Sequence, residues 1–169
     1  RVRLVASAPQ TGRAPLTIQA DGGVYDKDTG LIWDRCSIGQ LGEDCSQGAA
    51  QRLTWSDALR ASVEANTRRH KGHQDWRLPN VKELLSLADL AWPCPTIDAA
   101  AFPKTVCDWY WSSTPRAGEP GRAWDVGFDD GHIGHGIEDL KGYVRLVRDP
   151  GEIDILKHAT ADTAKPEKN

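Results

Sequence analysis

Seven tryptophans in a chain of 169 residues constrain what it can fold into. They are Trp33, Trp55, Trp76, Trp92, Trp109, Trp111 and Trp124. Each brings a large apolar body and one N–H donor that needs an acceptor when buried. Beside them stand three Tyr, two Phe and no Met, so the chain lacks soft, adaptable core filler. Such a composition favours a loop-rich domain on rigid anchors over a leucine-packed bundle. The tryptophans also sit in recurring phrases: Gly30-Leu31-Ile32-Trp33, Leu53-Thr54-Trp55, Asp75-Trp76-Arg77-Leu78-Pro79, Trp109-Tyr110-Trp111-Ser112-Ser113 and Ala123-Trp124-Asp125-Val126.

The length suits one domain with short extensions. A formal net charge of −3 excludes a bulk-basic nucleic-acid binder, so no nucleic-acid partner is expected. No apolar run approaches a membrane span, and no membrane insertion is expected of this segment. The chain starts at Arg1 rather than Met and reads as a processed or truncated product. Four cysteines fall into two local pairs, Cys36 with Cys45 and Cys94 with Cys107. The chain has no Cys-x-x-Cys, which weakens structural zinc and thioredoxin-type redox chemistry. An even count in Gly/Pro-rich surroundings predicts two disulfides and an extracytoplasmic location: secreted, periplasmic or cell-surface. Three pairings are open to four cysteines, and the local one is expected here.

Residues 1–20 read as a leader with one possible strand at Pro15–Ile18, and they carry Arg1, Arg3 and Arg13. Gly22–Tyr25 and Asp28–Trp33 form a β-hairpin turned by Asp-Thr-Gly. Cys36–Gln51 is Gly-rich and irregular. Thr54 or Ser56 caps a helix running to about Arg69, with Leu53, Ala58, Leu59 and Val63 as its apolar stripe. Pro79 holds Leu78 extended, and Asn80 then caps a second helix from Val81 to about Leu90, with Glu83 placed for a capping box. From Cys94 the pattern is β: Trp109–Ser113, then Trp124, Val126 and Phe128 alternating with Asp125, Gly127 and Asp129, then a closing strand Tyr143–Arg148. His158–Asn169 is polar, Ala/Thr/Lys-rich and expected to be disordered. The order predicts an α+β domain over 21–150 and a polar tail over 151–169.

These residues resemble a known family. Asp28–Trp33, Cys36, Thr54–Leu59, Asp75–Leu84, Tyr110–Thr114, Ala123–Gly131 and Val144–Arg148 are similar, in order, to the C-terminal domain of bacterial collagen-like adhesins. The match runs from about Asp21 to Arg148. The resemblance implies a C-type-lectin-like fold: two helices packed on a twisted, mostly antiparallel sheet, loop-rich and disulfide-stapled. It implies a secreted or surface-displayed binding module whose ligands are sulfated polysaccharides and host surfaces. The fold is also a distant cousin of the formylglycine-generating enzymes, which share the Trp-Arg-Leu-Pro phrase before a helix. Those enzymes use a late-chain cysteine pair as a copper site, whereas here the last cysteine is Cys107. That departure argues against oxidase chemistry.

The architectural reading of the motifs comes first: Trp76–Pro79 seat the second helix, and Trp33, Trp55, Trp111 and Trp124 are core. Because Trp109 and Trp111 alternate with Tyr110, at least one large aromatic should lie near the surface, where it can stack on a sugar. Trp109 is the candidate. Asp125, Asp129, Asp130, Glu138 and Asp139 are interleaved with glycines, and carboxylates on such backbone suit Ca²⁺. Asp129, Asp130 and Glu138 are its candidate ligands, although Asp-Asp-Gly is more often a plain turn and the spacing is not that of an EF-hand. His132 and His135 lack a clear third ligand for a transition metal. Arg68, Arg69, His70, Lys71 and His73 make the most basic patch of the domain, fit for sulfate groups or merely for a helix C-terminus. The chain shows no nucleophile elbow, no His-Glu-x-x-His and no phosphate loop. The expectation is therefore a non-catalytic recognition module of adhesin type. The competing expectation is a structural or assembly module of a surface or pilus structure, binding a protein partner or its own copies as a homo-oligomer. An oxidase of the formylglycine-generating type ranks third.

Overall fold

The computed structural model describes residues 14–152, 154 and 155. Arg1, Arg3, Arg13 and the expected disordered tail over His158–Asn169 lie outside the described residues. In chain order the elements are β1 (Thr17–Ile18), β2 (Gly23–Tyr25), β3 (Ile32–Asp34), β4 (Gln40–Leu41) and β5 (Gln47–Gly48). Then come α1 (Trp55–Thr67), a 3₁₀ turn (His70–Gly72), α2 (Val81–Leu85), β6 (Trp109–Pro115), β7 (Arg122–Gly127), β8 (Ile133–Ile137) and β9 (Val147–Arg148). This is an α+β chain whose strand ladders are antiparallel.

The expected hairpin is β2–β3, closed around Asp28-Thr29-Gly30 by the Gly30 N–H on the Asp26 carbonyl at 2.7 Å. Val24 faces Trp33 across it. The leader strand β1 joins β2, and β9 joins the far edge of β3, giving the order β1-β2-β3-β9. The single sheet expected from sequence is in fact three. β4 and β5 form a small ribbon inside the segment expected to be irregular, and β6-β7-β8 form a separate sheet. Tyr143–Leu146, expected as strand, is not part of a named strand: Tyr143 bridges Tyr110, and the Val144 and Leu146 carbonyls accept from the Ile38 and Asp34 N–H groups at 2.9 Å.

Thr54 caps α1 through its Oγ1, which accepts from the Asp57 N–H at 3.2 Å. The face it buries is Ala58, Ala61 and Ala65, spaced by three and four. The expected stripe is corrected: Leu59 packs only at the margin and Val63 is 62% exposed. Ala58 and Ala65 share their buried cluster with Trp76 and Trp111, whose large rings fill the space facing the helix. α2 has the expected capping box, with Asn80 accepting from the Glu83 N–H and Glu83 accepting from the Asn80 N–H. It stops at Leu85 rather than Leu90. The Asp89 N–H bonds to the Thr96 carbonyl at 2.9 Å, so a tertiary acceptor takes the donor that would have continued the helix.

The β6-β7-β8 sheet is covered on both faces. Tyr110 and Val126 point to a core with Leu84, Leu87, Ile97, Phe102, Phe128 and Trp33. Trp111 and Ala123 point to a second core with Ala58, Ala65, Trp76, Leu78, Val144 and Leu146. Both neighbours in Tyr110-Trp111 are therefore fully buried, and Trp109 keeps a partly exposed ring. Trp124 is not core: it is half-buried, its ring edge-on to His135 and capped by the Arg116 guanidinium. Trp55 is likewise half-buried at the margin of the second core.

Cys36 is bonded to Cys45 and Cys94 to Cys107, the local pairing expected. Each closes a short loop whose constraint stabilises by about 3 kcal/mol in the chain-entropy view. The Trp-Arg-Leu-Pro phrase does seat α2. The Arg77 guanidinium grips Glu83 with two bonds of 2.7 and 2.9 Å. The Trp76 backbone is clamped by both amide atoms of Asn66, and its ring N–H donates to the His70 carbonyl. The closing phrase earns its two arginines similarly. Arg145, fully buried, donates to the carbonyls of Asp34 and Arg35 and to Thr105 Oγ1 over the Phe102 ring. Arg148 pairs with Asp154 at 2.8 Å and lies against Trp76.

Candidate functional site

Asp34 ends β3 where two concavities share their lining. Two clefts of about 560 and 670 Å³ meet at Asp34, Gln40, Leu41, His70 and Lys71. One wall of the larger cleft is α1, through Arg60 and Glu64, continued by its C-cap Arg68. The facing wall is the β4–β5 ribbon, held by the Cys36–Cys45 bond. The floor is an ion cluster: His70 Nε2 lies 2.6 Å from one Asp34 oxygen and Lys71 Nζ 3.0 Å from the other. Burial alone would raise the Asp34 carboxyl, but the His70 hydrogen bond and the Lys71 charge outweigh it, holding the pKa below the usual carboxylate value.

The same cluster explains an unusual backbone. Arg69 and Lys71 both adopt left-handed conformations, with φ of 50° and 53°, which non-glycine residues rarely take. Lys71 is held there by Asp34 and by the Gly22 carbonyl at 2.6 Å. Holding it there leaves Arg68 and Arg69 exposed on the groove wall. Neither guanidinium has an ion-pair or hydrogen-bond partner among the described residues.

The basic patch read from sequence thus divides in two. Lys71 and His70 are tied to Asp34, and His73 pairs with Asp21 at 2.8 Å. They bind the 3₁₀ turn to the first hairpin rather than lying along a solvated helix end. Arg68 and Arg69 remain available.

The other candidates gather elsewhere. Trp109, Asp125, Asp129 and Asp130 line one cleft of about 350 Å³ together with His132, Ile133, Leu140 and bare glycine backbone. Asp125 lies across from Trp111 on β6 and Gly134 on β8. A Cβ at Gly134 would strike its carboxylate, and a Cβ at Gly136 would sit 2.8 Å from the Trp111 ring. The Gly-His-Gly alternation of β8 therefore exists to let these two side chains lie on it. Asp125 is 7% exposed, and burial, then the Asp129 charge, pushes its pKa up to about 6.

Glu138 does not join this cleft. It pairs with Gly121 at the opposite end of the β7–β8 hairpin, some five residues, or roughly 17 Å, from the turn that carries Asp129 and Asp130. The expected calcium set of Asp129, Asp130 and Glu138 thus does not meet at one point. No group of three or more His, Cys, Asp or Glu side chains is placed to hold a metal ion among the described residues. His132 contacts Asp130, while His135 lies between Arg116 and Arg122, so the two histidines serve different partners.

Sequence reasoning missed Asp34 as the centre of the groove and the β4–β5 ribbon as its wall. An acid in mid-phrase after Ile32-Trp33, on a strand otherwise apolar, was the available signal. It also missed Arg60, which pairs with Asp57 on the same wall.

No curated protein gives a significant match to the chain. The family model for the Lcl C-terminal domain matches residues 22–148. That span holds the tryptophan phrases, both disulfides, the groove and the acidic cleft, and the chain belongs to the Lcl C-terminal domain family.

Proposed function

We propose that the domain is a non-catalytic, extracytoplasmic recognition module of adhesin type that binds sulfated polysaccharide along the groove beside α1. The observation that carries this reading is the pair of unpartnered guanidiniums, Arg68 and Arg69, on the wall of the 670 Å³ groove beside α1. Planar guanidiniums with open donors suit sulfate oxygens, and paired charges such as Lys71 do not compete for them. The C-type-lectin-like fold implied by the family likeness suits this role. Two disulfides fit an oxidising compartment, and among the described residues no helix is long and apolar enough to cross a membrane.

The test is binding to dextran sulfate and to unsulfated dextran at two salt concentrations. The sulfated polymer should bind, with affinity falling as salt rises. Replacing both Arg68 and Arg69 by Ala should weaken it roughly tenfold or more. Equal binding of both dextrans, or no effect of the double substitution, overturns the reading.

A second reading, an assembly module, has its own observation. β8 is an edge strand, and it carries Ile133 and Ile137 at 43% and 49% exposure. An apolar edge is a surface for strand pairing with a protein partner or another copy. Concentration-dependent oligomerisation, lost on Ile133→Lys, would favour it.

A further inference from the structure

We propose that the cleft over Asp125 is a second binding site, for the protonated amine of an amino sugar. The site is separate from the groove that carries Arg68 and Arg69. The proposal rests on the reading of the domain as a polysaccharide binder and extends it to a ligand of opposite charge.

Asp125 is the observation that points to a ligand. It is 7% exposed, yet it lines the cleft. No described residue donates a hydrogen bond to its carboxylate. Its oxygens are not among the fully enclosed unpartnered atoms, so they face the cleft, where a bound donor would meet them. Here the nearest influence is another acid, Asp129. Asp130 completes an acidic rim, relieved only by His132 on Asp130. A group with several N–H donors and a positive charge supplies what this cleft lacks.

The remaining features select the kind of cation. Ca²⁺ takes six to eight oxygens, and no three carboxyl or imidazole groups here converge as for a metal. A quaternary ammonium favours an aromatic cage, whereas Trp109 is the aromatic ring lining this cleft among the described residues. A primary ammonium uses its donors on Asp125 and Asp129. The sugar ring that bears it offers a C–H face to the part-exposed Trp109. The glycines are what let the acids line the cleft: the Asp129 and Asp130 carboxylates lie over Gly127, and the Asp125 carboxylate lies over Gly134. A sulfate would meet three acids and be repelled.

The test is calorimetric titration of the folded domain at about pH 6.5 and low salt with a glucosamine tetramer and its fully N-acetylated counterpart. The two differ in whether the nitrogen carries a charge. The glucosamine tetramer should bind and the acetylated one should bind at least tenfold more weakly. Asp125→Asn should cost roughly tenfold in affinity. Asp129→Asn, at an exposed turn position that leaves the fold intact, should weaken binding in the same direction. Arg68→Ala with Arg69→Ala should leave amine binding unchanged while abolishing dextran sulfate binding. Amine binding that survives Asp125→Asn and Asp129→Asn, equal binding of both tetramers, or no binding of either overturns the proposal. So does preference for a lysine peptide over the glucosamine tetramer. Failure of dextran sulfate alone refutes the groove reading and leaves the amine result to be judged by its own variants.

Discussion

Asp125→Asn should stabilise this protein at neutral pH, although it removes a charge from a buried position. The folded carboxyl titrates at about 6 against an ordinary value of 3.8, through burial first and the Asp129 charge second. A rise of about two units corresponds to roughly 3 kcal/mol between ionised and neutral forms. Solvent over the mouth of the cleft screens part of this, so about 1–2 kcal/mol is the working figure. The sign follows from linkage: the folded state binds the proton more tightly than the unfolded one. Its contribution to stability is complete below about pH 4 and is lost as pH rises through about 6. Asparagine has the same shape over Gly134 and no charge, so it removes the loss. At about 2–4 °C per kcal/mol for a chain of this size, the variant should melt roughly 2–8 °C above wild type near pH 7. Near pH 4 the two curves should coincide within about 1 °C. Melting curves by circular dichroism at both pH values decide it. A variant that melts lower than wild type at pH 7, or higher by the same amount at both pH values, refutes the account of Asp125 as an unpaired buried charge.

Asp34 behaves in the opposite sense. Its folded pKa is lowered, so its contribution is present above the unfolded value and is lost as pH falls through the folded one. Asp34→Asn should cost about 3–5 kcal/mol at pH 7, by stranding His70 and Lys71, and should flatten the acid limb of stability; urea midpoints at two pH values read both effects. Gly136→Ala should cost about 1–3 kcal/mol, because the new methyl meets the buried Trp111 ring at 2.8 Å, and a wild-type melting temperature would contradict that packing. Non-reducing peptide mapping should yield Cys36 linked to Cys45 and Cys94 linked to Cys107, and any crossed peptide would contradict the loops described.

What could be read from the sequence was local. The hairpin at Asp28-Thr29-Gly30, the Thr54 cap and the Asn80–Glu83 capping box are each decided by residues within a few positions, and each formed as read. The disulfide pairing followed because short loops close most easily. What failed was decided by distant partners. α2 ends early because Thr96 takes the Asp89 donor, and no local pattern announces that. Val63 is exposed because the face α1 turns inward is the Ala58–Ala61–Ala65 face, and which face turns inward is set by partners distant in sequence, Trp76 and Trp111 among them. Glu138 left the acidic set because hairpin register, not sequence distance, decides which carboxylates meet. The basic patch was legible as charge but not as pairing, since Asp34 and Asp21, which hold His70, Lys71 and His73, come from the first hairpin and the turn just before it.

That pairing is also what makes a chain of net charge −3 a credible binder of polyanions. Net charge is a poor guide where most ions are internally matched; the partner meets only the unmatched ones. His70, Lys71 and His73 are matched, and Arg68 and Arg69 are not. On the acidic side Asp34 is matched, and Asp125 is not. The domain therefore offers two surfaces of opposite sign, each defined by groups the fold leaves without a partner. Salt weakens both interactions, so a salt series alone cannot separate them. Ligand charge can: a sulfated polymer should answer to Arg68 and Arg69 and ignore Asp125, and a glucosamine oligomer should do the reverse. A polysaccharide carrying both groups should lose part of its affinity with either set of substitutions and most of it with both.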